Sequence, residues 1–285
     1  MSLTLITSND PKGIRATSLF QAKYNKAKLD DDAAQRLNED REFWAGLEKL
    51  ITERSRPNQY ANEEVKSSYG YPKGYQQKDV HAQANLLREL IPGVGFADEK
   101  LAELPLPNGA GGYFAIPRWQ TVAPTYREAV EKVFALLAKQ RKGKFQNYRE
   151  GQLGEQYLRE SEKTAAAFQK LSDEQKGYDI LVVPAQFGIR HRGRSVRRAR
   201  EVMNSSEFGL GAFAVGIILL THPEREVQWE QLHIDCAGDE YSPDGDGQFV
   251  HAPIFSFDDD GLGFDSGWVN GPSDDCGSAS GFVSQ

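Results

Sequence analysis

The sequence predicts an α+β fold, and three observations carry the prediction. Helical periodicity dominates the first half of the chain. A buried apolar strand followed by an arginine run occupies the middle, and turn-separated strand patterns occupy the end. With 39% hydrophobic and 26% charged residues over 285 positions, this is an ordinary globular composition that can bury a sizeable core.

Taken in order, residues 1–28 read as irregular, with Pro11 and Gly13 as breakers. Residues 30–54 read as one helix, because Leu37, Trp44, Leu47 and Ile51 recur at helical spacing and three aspartates suit its positive end. Residues 55–79 are polar and turn-rich. Their tyrosines (Tyr60, Tyr69, Tyr71, Tyr75) stand among Lys66, Lys73 and Lys78, which suits either stacking on unpaired bases or packing onto the domain. A short helix at 80–91, a break at Pro92, Gly93 and Gly95, and a strand at 112–116 follow. Residues 124–141 form an amphipathic helix with Val130, Val133, Leu136 and Leu137 on its apolar face, and a second helix is expected at 154–171.

Residues 178–189 are a buried strand by composition, and Ser195 is placed to cap a short helix starting at Val196. Ser205 or Ser206 is expected to cap the apolar element at 208–220, which Pro223 ends. The pattern then turns to β. Strands are expected at 227–236, 248–257 and 261–269, the last two joined by a hairpin turn at 258–261, and the tail from Gly277 reads as irregular. The loop 92–111 is the natural division, giving a mainly helical region 1–110 and an α+β domain 111–285.

The first residues lack a basic start followed by an apolar run, and the apolar stretch 208–220 is too short to span a bilayer. The two cysteines, Cys236 and Cys276, make no disulfide framework and no CxxC zinc spacing. A cytoplasmic location with no membrane partner is expected.

Charge is uneven. Net charge is −7, yet residues 236–285 hold ten acidic side chains and no basic one, leaving 31 acidic against 34 basic side chains elsewhere. Six arginines crowd between Arg190 and Arg200. A strand, a glycine-containing loop and a helix beginning after Ser195 make a helix N-terminus suited to anions. Arg190, Arg192 and Arg194 can grip phosphate bidentately, and Arg194, Arg197 and Arg198 share a helix face. Three readings stand: phosphate-backbone binding by Arg190, Arg192, Arg194, Ser195, Arg197 and Arg198, internal pairing with the acidic C-terminal strands, or a solvated face. The P-loop spacing is absent.

The stretch 233–247 is the candidate for metal or acid–base chemistry. His233 and Asp235 share one strand face, and Asp239 and Glu240 follow. His233, Asp235 and Asp239 can hold a divalent ion, the one possible cofactor, and the four residues together are the catalytic candidates. Asp244 and Asp246 have a calcium-loop flavour, but the twelfth-position glutamate is missing, and turns favour Asp and Gly for backbone reasons alone. Cys236 reads as a buried hydrophobe, and His222 and His251 as structural.

The runs "ILVVPAQFGIRHRGRSVRRARE" and "EFGLGAFAVGIILLTHPER" resemble uncharacterised proteins of bacterial integrative conjugative elements and genomic islands, over about residues 110–285. The resemblance implies a mobile-element setting and assigns no residue a role. The leading expectation is a nucleic-acid-binding accessory protein with DNA or RNA as partner. The alternatives are a metal-dependent phosphoesterase or nuclease, and a protein–protein module with internally paired arginines. No complete catalytic motif is present, so binding is preferred to catalysis.

Overall fold

A computed structural model describes residues 7–54, 58–225, 227–258 and 261–283. The chain divides into two compact units, Met1–Arg56 and Pro57–Gln285. The loop 92–111, expected as the boundary, lies inside the second unit, where Ala97 bridges Ile180 and the Gly111 N–H donates to the Ala185 carbonyl.

The first unit has three helices: α1 (Pro11–Ala27), α2 (Asp31–Glu39) and α3 (Arg41–Arg54). The expected irregular start is thus corrected. Pro11 sits in the first turn of α1, where its missing N–H costs nothing, so the apparent breaker is a helix start. The single helix expected at 30–54 is two. Asp40 stands extended between them, and its carboxylate caps α3 by accepting from the Phe43 N–H at 2.8 Å. Among the described residues of this unit no side chain is buried.

The second unit carries α4 (Val80–Leu90), β1 (Gly112–Pro117), α5 (Trp119–Val122), α6 (Tyr126–Gln140), β2 (Phe145–Asn147), β3 (Leu158–Glu160) and α7 (Glu162–Glu174). It continues with β4 (Ile180–Arg192), α8 (Val196–Val202), β5 (Glu207–Gly209), α9 (Ala212–Thr221), β6 (His233–Asp235) and β7 (Asp239–Tyr241). It ends with β8 (His251–Asp258), β9 (Gly261–Trp268) and β10 (Cys276–Phe282). The strands form one mixed sheet in the order β1-β4-β10-β6-β8-β7-β3, with β5 on β10 and with β9 joining β8 to β2. Helices come mainly early and strands late, so the fold is α+β, as the sequence predicts.

Several elements differ from expectation. In the span 154–171 a turn at 154–157 and then β3 precede α7, which starts at Glu162 because Ser161 caps it through the Thr164 N–H. The strand expected at 227–236 shrinks to His233–Asp235. The 258–261 turn rests on residues 259–260, outside those described, though β8 and β9 pair antiparallel down to Asp258 opposite Gly261.

The tail is the largest correction. β10 is an inner strand, antiparallel to β4 and β5 and parallel to β6. Its Gly277, Ser278, Ala279, Ser280 and Gly281 read as linker chemistry, yet small side chains are what lets three strands crowd around it. A Cβ on Gly277 would overlap the Gly188 carbonyl oxygen. The rest of the core is α9 against α6, backed by Phe134, whose ring centroid lies 4.5 Å from that of Phe264. Every residue of α9 is buried. Among the described residues no helix is long and apolar enough to cross a membrane.

Replacing Gly277 by Val should destabilise the second unit by about 1–3 kcal/mol, the usual cost of overpacking. A lowered urea midpoint with an unchanged m-value checks this. An unchanged midpoint would mean that β4 and β10 can separate freely.

Candidate functional site

The site grows from a two-strand ribbon. In β3 and β7, Arg159 stands opposite Glu240 and Glu160 opposite Asp239. Side chains alternate across a strand, so the two pairs face opposite sides. On one side Arg159 and Glu240 form an ion pair at 2.8 Å. On the other, two carboxyl groups meet as a like-charge cross-strand pair. Glu240, a candidate from the sequence, is thereby a surface ion-pair partner, and Asp239 belongs to a different constellation from the one expected.

Asp239 has no solvent exposure. Its carboxyl oxygens lie 2.9 and 2.8 Å from the Tyr126 hydroxyl, and Oδ2 accepts from the Ala212 N–H at 2.7 Å. That last bond caps α9, so the cap comes from β7 and from neither Ser205 nor Ser206. Gly211 occupies the N-cap position with no side chain to offer. Tyr126 is held in place because Thr125 and Glu128 form a capping box at the start of α6. Glu160 Oε2 accepts from the Trp119 indole N–H at 3.0 Å. Trp119 stands on α5, behind Arg118, whose guanidinium donates to the Ser172 and Gln175 carbonyls.

Glu160, Trp119, Tyr126, Phe168 and Phe213 line a cavity of about 180 Å³. A wider, more open cavity of about 560 Å³ shares Arg118, Gln120, Gln169 and Ser172 with it and adds Asp173 and Lys176. The two make one cleft, with a polar mouth and an aromatic end where Glu160 sits. Burial pushes Glu160 up to about 7, against the pull of the Trp119 hydrogen bond. Burial first, and then the neighbouring Glu160 charge, push Asp239 up to about 8 despite the Ala212 and Tyr126 hydrogen bonds.

The other candidates lie elsewhere. Among the described residues, no three His, Cys, Asp or Glu side chains gather as metal ligands would, so His233, Asp235 and Asp239 form no single ligand set. His233 and Asp235 are buried on β6, and the His233 ring packs edge-on against Trp229. Asp235 is pushed up to about 7 by burial and by the Asp275 charge. Burial raises the Cys276 thiol, which is therefore no activated thiolate, and Cys236 is fully buried. Asp246 closes its own turn, accepting from the Ser242 hydroxyl and the Gln248 N–H. His222 accepts from the Lys78 N–H at 3.0 Å and is pushed down to about 4 by burial.

The arginines are engaged one by one. β4 runs on through Arg192, so the segment starts as strand and the expected loop is only the turn at Gly193. Ser195 caps α8 as expected, accepting from the Arg198 N–H. Arg197 grips Glu63 bidentately, and Arg198 reaches Glu64 at 2.6 Å and Glu201 at 2.7 Å. Arg194 pairs with Glu64 and Arg190 with Glu207, while Arg192 donates to the Tyr69 carbonyl. Arg200 donates to the Ala237 and Asp239 carbonyls. Among the described residues their carboxylate ion-pair partners are thus Glu63, Glu64, Glu201 and Glu207, and not the acidic C-terminal strands. The tyrosine loop packs inward. The Tyr71 hydroxyl accepts from the Phe187 N–H, and the Arg225 guanidinium lies 4.3 Å from the Tyr71 ring centre.

Glu160, Trp119 and Tyr126 escape sequence reasoning. Glu160 falls in a stretch that reads as helix, and its pairing with Asp239 is a long-range register. Neither a family model, nor a curated protein, nor a solved structure matches the chain.

Two outcomes follow. Glu160, Asp235 and Asp239 all have folded-state values above their ordinary carboxylate range, so these three groups bind more protons in the native state than in the unfolded chain up to about pH 8. Above the ordinary histidine range, stability should therefore fall as pH rises to about 8, by up to about 1.4 kcal/mol per pH unit for each proton involved. Chemical denaturation at several pH values should show a flatter dependence in Glu160→Gln/Asp239→Asn. Arg198→Ala strips two carboxylates of a shared partner. It should cost about 2–3 kcal/mol, and a smaller loss than that of an exposed arginine such as Arg127→Ala would make the network dispensable.

Proposed function

We propose that the second unit is an acid–base enzyme acting on a small molecule held in the cleft between α5, α7 and α9. The observation that carries this reading is the cross-strand Glu160–Asp239 pair, with Asp239 buried and half-buried Glu160 lining an aromatic-walled cavity. Glu160 faces the cavity and exchanges the proton. Asp239, sealed behind it by Tyr126 and the α9 N–H, is a positioning residue that keeps a proton on the pair. A group titrating near 7 is suited to act as both donor and acceptor at neutral pH. Trp119 and Phe168 suit an apolar ring face, while Arg118, Gln120 and Gln169 suit hydroxyl, amide or carboxylate groups on the same ligand. A glycoside fits this description: Glu160 protonates the leaving oxygen as its bond to the anomeric carbon breaks, and a solvent water adds to that carbon and returns its proton to Glu160 or to solvent.

Phosphate-backbone binding through Arg190, Arg192, Arg194, Arg197 and Arg198 has less in its favour. Four of these guanidiniums already hold carboxylates, and phosphate would have to displace Glu63, Glu64, Glu201 or Glu207. Metal-dependent hydrolysis at His233, Asp235 and Asp239 lacks an assembled ligand set among the described residues.

A panel of chromogenic glycosides, with tryptophan fluorescence read in parallel, tests the proposal. Turnover should follow a bell-shaped pH profile and fall about 100-fold or more in Glu160→Gln, with folding unchanged by circular dichroism. Tyr126→Phe should shift the pH profile. The absence of both turnover and fluorescence change at millimolar ligand would overturn the glycoside assignment. Turnover undiminished in Glu160→Gln would overturn the acid–base role itself.

A further inference from the structure

The first unit holds a row of unpaired cations. Between Pro11 and Leu29 the sequence has Lys12, Arg15, Lys23, Lys26 and Lys28 and no Asp or Glu. Four of these lie in α1 at spacings of three, eight and three. At 100° per residue they fall within an arc of about 80°, and they span about 21 Å of helix axis. All four are exposed, and none has an ion-pair partner among the described residues. This sets them apart from Arg190–Arg200, where the carboxylates are already in place. It also sets α1 apart from α2 and α3, whose sequences mix both signs as solvated helices do.

The geometry points to α1 as a docking face for the phosphate backbone of a nucleic-acid duplex, a role separate from the cleft chemistry proposed above. A row of like charges suits a rod of regularly spaced anions, and the apolar arc next to it is the one whose Phe20 ring meets Trp44. Leu19 is the one large apolar residue on the cationic arc. The aromatic side of α1 is a different arc, where the Phe20 ring lies 6.3 Å from the Trp44 ring on α3. A helix that lies in a membrane surface needs a broad apolar face between its cations, and α1 lacks one there. Alternating side chains that could read base edges are also missing from the arc, so binding should be independent of sequence.

The test uses the full chain and a labelled duplex DNA of about 20 base pairs, read by fluorescence anisotropy from about 25 to 200 mM KCl. Wild type should bind with micromolar affinity, and log K should fall linearly with log salt. Each phosphate that is no longer neutralised takes about 0.9 off that slope, so Lys12→Ala/Arg15→Ala/Lys23→Ala/Lys26→Ala should reduce it by about 3 to 4. Its affinity at 50 mM salt should drop at least about tenfold. Arg192→Ala should leave both quantities unchanged. A Lys12→Gln/Lys26→Gln variant, with helicity checked by circular dichroism, should show about half the fourfold variant's reduction in slope. Wild type that does not bind duplex at low salt, or a fourfold variant that binds equally, overturns the proposal. So does wild type that binds phosphatidylserine vesicles or single strands but not duplex.

Discussion

A carboxyl group with no access to water must have its oxygens satisfied by the protein, and Asp239 is where this fold meets that demand. Tyr126 brings α6, the Ala212 N–H brings α9, and the backbone of β7 pairs with β3. One side chain therefore fixes the mutual placement of two core helices and the sheet edge. The helix it caps is apolar on every face and has no polar residue of its own at the N-cap, so its first orphan N–H must find an acceptor elsewhere. Desolvation on this scale favours the neutral acid, and Glu160 directly across the ribbon adds to that preference. The same demand that organises the core thus raises the carboxyl opposite the one that lines the cavity.

A second junction works by the opposite means. Around α8 the charges are kept and paired. The Ser195 N–H donates to the Glu63 carbonyl, the Val65 N–H donates to the Gly193 carbonyl, and the Gln59 and Tyr60 N–H groups donate to the Glu201 carboxylate. Residues 58–65 are strapped over the helix by backbone bonds as well as by ion pairs, which removes much of the entropy that isolated surface pairs must overcome. Glu207, at the foot of this region, shows the balance. Burial pushes it up, but His191, Ser280 and Arg190 outweigh that and bring it down to about 2. Glu207, held down and multiply bonded, is a structural anchor, whereas burial pushes Asp239 the other way, and its strand neighbour Glu160 lines the cavity.

How much of this the sequence shows depends on the range of the interaction. Local signals succeed: Ser195 as a cap, the amphipathic face of α6, and the buried strand at 180–192 are all decided within a few residues. Non-local ones do not. Pro11 looks like a breaker until a helix follows it. The small residues of β10 look like a linker until three strands are found packed around them. Asp239 is expected beside His233 and Asp235 but is found with other companions, because its partners, Glu160, Tyr126 and Ala212, lie 79, 113 and 27 positions away. Register across a sheet leaves no trace in spacing along the chain.

The arginine run shows the same limit from the side of charge. Residue type and spacing establish that guanidiniums cluster, but a cluster has two physical fates. If carboxylates arrive with the fold, the cations are internal partners, and an outside anion must displace a preorganised acceptor before it can bind. If none arrives, the field remains open to solvent and to polyanions. Net charge cannot separate the fates, since a −7 chain contains both. What separates them is whether acidic residues stand within reach once the chain has folded. They do for Arg194, Arg197 and Arg198, which meet Glu63 and Glu64 more than 125 positions earlier. Among the described residues Lys12, Arg15, Lys23 and Lys26 form no ion pair, and their helix has no carboxylate among its own residues. The denser cluster is therefore the more occupied one, and the sparser row on α1 keeps the field that a phosphate backbone would meet.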